Sequence, residues 1–99
     1  MKSNFDVREI ENYLVILNTS NTLLIIINPL GDIVLSKNDI TVMQVRGNYI
    51  SVKENDVVGV YKYDGSIVVP FEYKFIFIQE NEFLISKSNK DELVPYSKE

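Results

Sequence analysis

One repeated signal constrains this chain more than any other. Gly31 followed by "DIVL" and Gly65 followed by "SIVVP" carry the same turn-then-strand pattern 34 residues apart. A fixed period of that length marks an array of similar supersecondary units. Each turn is preceded by an apolar segment, "TLLIIIN" (22–28) and "DVVGVYK" (56–62), with "DELVPYS" (91–97) as a third copy. Before those lie "NYLVIL" (12–17), "NYISVK" (48–53) and "EFLISK" (82–87), and before those "FDVREI" (5–10), "ITVMQV" (40–45) and "YKFIFI" (73–78). The 99 residues therefore divide into units of about 5–39, 40–72 and 73–99 within one domain, two full copies and part of a third.

Each segment is five or six residues of mostly Ile, Val, Leu, Tyr and Phe, bounded by Asn, Asp, Gly or Ser. That is the profile of short strands joined by tight turns. The expected fold is all-β: about two and a half repeats of short antiparallel hairpins in a small meander, barrel-like or solenoid arrangement. Asp64 and Gly65 read as a two-residue hairpin loop, because Gly takes positive φ at little steric cost. Gly31 marks the matching turn. Pro70 has no amide hydrogen for a ladder, so it should end the "SIVV" strand or lie at an edge. A short N-terminal helix over 3–11 is the competing reading, since Phe5, Ile10, Tyr13, Leu14 and Leu17 partly follow helical spacing and Ser3 could cap it. The repeat alignment assigns residues 5–10 to a strand instead.

The stretch "VVGVYKYDGSIVVPFEYKFI" resembles the WG-repeat family of bacterial proteins, whose units read roughly W-G-x-I-D-x-x-G-x-I-V-I-P-x-x-Y-D. Gly59, Gly65, Ile67, Val68, Val69, Pro70 and Tyr73 match in order, with Val58 where the Trp would stand. The first unit departs further, with Leu24 and Ile25 at the Trp-Gly position and Ser36 in place of the Pro. No tryptophan occurs in the chain. The resemblance spans about residues 5–96 and implies stacked β-hairpins in a bacterial or phage protein. It implies a binding scaffold and supplies no catalytic motif.

Composition narrows the function classes. Cysteine and histidine are both absent, which removes disulfides, thiolate chemistry and the commonest general base and metal ligand. No cofactor is expected. A net charge of −4 disfavours binding to a phosphate backbone. Lys2 is followed by Asp6, Arg8, Glu9 and Glu11 rather than an apolar run, and "LLIII" is far shorter than a membrane helix. A cytoplasmic protein without a membrane span is expected. Glu9/Glu11, Glu80/Glu82 and Asp91/Glu92 are carboxylate pairs, but they fall at turns and strand edges, where solvated charge is the ordinary explanation. "NKDE" (89–92) lacks the ligand spacing and Gly of a calcium loop.

What remains is aromatic. Phe71, Tyr73, Phe75 and Phe77 alternate with other residues, so on one extended strand their rings would share a face. In the repeat alignment Tyr73 pairs with Phe5 and Ile40, and Phe75 with Val7 and Val42, all apolar and expected inside. Phe77 pairs with Glu9 and Gln44, and Phe71 with Lys37, so these two should face water. Phe71 and Phe77, with Tyr63 and Ile76 beside them, form the candidate partner-binding set, because exposed aromatics dominate interface hot spots. The leading expectation is a noncatalytic protein–protein interaction module. The alternatives are a small acidic inhibitor of a host or toxin protein and a structural homo-oligomer. "LLIII" places aliphatics on both faces of one strand, which fits burial on both sides or pairing in a homodimer.

Overall fold

Apolar segments of five or six residues cannot bury both faces alone, so the chain folds them back on one another wherever Asn, Asp or Gly permits. The computed structural model describes residues 5–80 and 82–96. A first sheet comprises β1 (Phe5–Ile10), β2 (Tyr13–Asn18), β3 (Leu23–Ile27) and β4 (Ile33–Asn38). A second comprises β5 (Thr41–Arg46), β6 (Tyr49–Glu54), β7 (Val57–Lys62) and β8 (Ile67–Tyr73). A third comprises β9 (Phe75–Ile78), β10 (Phe83–Ser86) and the two-residue β11 (Val94–Pro95). Each sheet is an open antiparallel meander in chain order, and none closes into a barrel. Among the described residues no helix is long and apolar enough to cross a membrane.

Residues 5–10 are a strand, which removes the helical reading there; Ser3 and Asn4 lie outside the described residues. The cause is the next two residues. Glu11 and Asn12 both adopt positive φ (51° and 70°), making a two-residue turn that pairs Ile10 with Tyr13 and zips β1 to β2. Asn55 and Asp56 (56° and 69°) do the same between β6 and β7.

The loops at Gly31 and Gly65 are built differently from the two-residue expectation. Only Gly65 of the Asp64-Gly65 pair takes positive φ (89°). Its amide donates to Lys62 O (2.9 Å), and the Lys62 amide donates to Ser66 O (2.8 Å). This is a three-residue loop with a left-handed last position. The loop at Gly31 (φ 92°) repeats it, with Gly31 N donating to Asn28 O and Asn28 N to Asp32 O. Asp64 favours this form because its Oδ1 accepts from Ser66 N (3.0 Å) and Ser66 Oγ (2.6 Å), which stabilises an Asx turn.

Pro70 lies on an edge strand, but β8 runs through it rather than ending before it. It occupies a bulge where pairing with β7 jumps from Val69↔Val60 to Tyr73↔Val58, so no ladder bond needs its missing hydrogen. "DELVPYS" also departs from expectation. Lys90–Glu92 form a single 3-10 turn capped by Asn89, whose side chain accepts from Asp91 N, and only Val94 and Pro95 pair as a strand. Ser97 lies outside the described residues.

The three sheets stack face to face, and the second is the middle layer. Val15, Leu17, Leu24 and Ile26 of the first sheet pack against Val42, Ile50, Val52 and Tyr61 of the second. The opposite face of the second sheet sends Val60 and Val69 against Ile78 and Ile85 of the third. Each such side chain contributes about 1.5–3 kcal/mol relative to exposure. One close approach requires glycine: a Cβ on Gly59 would stand 2.5 Å from the Phe71 ring, which lies on the backbone there.

Candidate interaction surface

The four aromatics from Phe71 to Phe77 do not share a face. The chain bends at Lys74, so Phe71 and Tyr73 belong to the second sheet and Phe75 and Phe77 to the third. Phe71 is half-buried rather than exposed: it packs on Gly59, and its ring lies 5.4 Å from that of Tyr61. Tyr63 is also half-buried, edge-on to Tyr13 at 5.2 Å, with Lys62 Nζ 5.4 Å from its ring centroid. Ile76 points inward and packs with the core that contains Ile78 and Ile85. Of the four candidate partner-binding residues, only Phe77 is exposed (45%). Phe75, expected inside, is exposed beside it (41%). On β9 the aliphatics take the core and the rings take the solvent.

β9 is held from two directions. Its pairing with β10 matches Phe77 with Leu84 and Ile85 with Ile76. Across its open edge, Gln44 of β5 acts as a substitute strand: Ile78 N donates to Gln44 Oε1 (2.9 Å) and Gln44 Nε2 donates to Ile78 O (3.0 Å). Gln44 is one of the polar sister positions from which Phe77 was expected to face water. The Gln44 amide satisfies both backbone groups of Ile78, which an unpaired edge would otherwise leave without protein partners.

Charged groups edge the rings. Phe77, Arg46, Gln79, Glu80 and Glu82 surround a shallow depression of about 360 Å³. A neighbouring cleft of about 470 Å³ is lined by Tyr49, Val68, Phe83 and Tyr96 and shares Gln79, Glu80 and Glu82. Tyr49 and Phe83 meet edge to face at 5.0 Å. Tyr73, at the end of β8, lies edge-on to Tyr96 at 6.2 Å, with Lys87 Nζ 5.7 Å from its ring centroid. Burial, followed by the nearby Glu72 and Tyr96, raises the Tyr73 hydroxyl above the usual phenol range.

These groups offer apolar ring area bordered by both signs of charge. Exposed aromatic side chains and Arg are residue types over-represented at protein interfaces in general. The sequence held one usable signal for it: "FIFI" puts large residues on both faces of a strand that can bury only one. No protein-family model, no curated protein and no solved structure matches this chain.

Proposed function

We propose that this chain is a noncatalytic protein-interaction module whose binding surface centres on Phe77 and Phe75. The observation that carries the reading is their outward placement on a strand fixed by β10 on one side and by Gln44 on the other. A rigid ring loses little conformational freedom on binding, so such a pair favours association. The resemblance of about residues 5–96 to WG repeats supports a scaffold role.

The test is capture of partners from source-cell lysate by the tagged chain, with Phe77→Asp as control. The variant should keep the wild-type circular dichroism spectrum and lose the captured protein. Retention of the same partner by a folded Phe77→Asp chain would overturn the reading.

A second reading, a small acidic inhibitor, is favoured by Glu80 and Glu82, which flank Phe77 on a chain of net charge −4. Acidic groups beside apolar anchors complement a basic groove and speed association. An inhibitor of this kind binds one basic partner with an on-rate that falls steeply with salt, whereas a general scaffold shows weak salt dependence.

A further inference from the structure

The outer face of the first sheet has the chemistry of an interior. Two rows of paired residues cross its four strands: Val7, Ile16, Ile25 and Ser36 in one, Glu9, Leu14, Ile27 and Ile33 in the other. A sheet with one wet face alternates apolar and polar residues along each strand. Here β3 is apolar on both faces, and Glu9 is the one charge in the two rows although 24% of the chain is charged.

The repeat indicates what such a face is made for. Cross-strand pairs Leu14↔Ile27 and Ile16↔Ile25 correspond to Ile50↔Tyr61 and Val52↔Gly59 in the second sheet. Those equivalents are closed off: Ile50 and Val52 are fully buried and Tyr61 is 4% exposed, because the first sheet lies on them. Among the described residues no sheet lies over the same positions in the first sheet.

We propose that this face is covered by the same face of a second copy, giving a two-fold symmetric dimer. Val7, Leu14 and Ile33 are exposed (56%, 37% and 63%) and Ile16, Ile25 and Ile27 half-buried, with Phe5 and Leu23 at the margin beside Asn18 and Asn38. The face thus has an apolar centre and amides at its rim, the make-up of an interface core. A specific pair of such faces removes about 1,000 Å² in all. The other exposed apolar sheet face, that of the third sheet, spans two four-residue strands and a two-residue strand, so it would leave part of the four-stranded face wet. A self-complementary pairing covers all four strands and closes on itself. This dimer uses the opposite end of the molecule from Phe77 and does not depend on the role proposed for it.

Sedimentation equilibrium of the wild-type chain at micromolar concentrations tests it. The expected mass is twice the 11.4 kDa chain. Ile25→Lys, which buries an unpaired charge in the pair, should weaken association by roughly 100-fold or more. Val7→Lys, on the exposed edge strand β1, should act in the same direction and guards against a folding defect in the first variant. Phe77→Asp and Ile67→Lys, both away from the face, should leave the dimer intact. A monomeric wild-type chain at 100 µM, a mass that climbs beyond two copies, or a dimer that survives both Ile25→Lys and Val7→Lys would each overturn the proposal.

Discussion

Two residues show how local chemistry fixes this fold. Gly59 stands in a central strand, where glycine normally weakens packing, and it is there because the Phe71 ring occupies the space of its side chain. Gly59→Ala should lower stability by about 1–3 kcal/mol through overpacking, read from the urea midpoint. Combined with Phe71→Leu the cost should be less than the sum of the two single variants, since the substitutions share one contact. Asp64 makes a pH-dependent prediction. The Ser66 hydroxyl and amide hold its carboxyl below the usual aspartate range. Its folded value is therefore depressed, so its contribution is complete above the unfolded value of about 3.9 and disappears as pH falls through the folded one. The difference in thermal midpoint between wild type and Asp64→Ala should accordingly be present at neutral pH and shrink in strong acid.

At the scale of elements, strands and turns were legible in the sequence because both signals are local. Asn55-Asp56 and the Gly31 and Gly65 loops announce themselves by residue type. The turn at Glu11-Asn12 was harder to see, since Glu is a poor marker of positive φ. The orientation of β9 was not legible. Phe and Ile alternate there, so either set could face the core, and the deciding facts are the bend at Lys74 and a clamp from Gln44, 34 positions away from Ile78. The clamp is testable. Gln44→Leu leaves the Ile78 amide and carbonyl without their protein partner, which should cost about 1–3 kcal/mol. Hydrogen exchange at Ile78 should accelerate selectively relative to Ile50 in the middle layer; equal protection in both chains would show that Gln44 does not hold β9.

The whole molecule is a short stack of meanders in which the middle sheet is covered twice and each end sheet once. Stacked repeats of this kind need polar outer faces at their ends to stay solitary. Neither end has one: the first presents aliphatic rows and the third presents Phe75 and Phe77. The pattern "LLIII" foreshadowed the first; of the second, the polar sister positions Glu9 and Gln44 foreshadowed Phe77, while the exposure of Phe75 appeared only once β9 was placed. The rings on β9 are proposed to meet another protein. The most direct test replaces Phe77 with a photoreactive benzoyl-phenylalanine in the source cell and irradiates. A discrete adduct joining residue 77 to a different polypeptide is the predicted result. Adducts confined to the chain itself or to a second copy of it would contradict the claim.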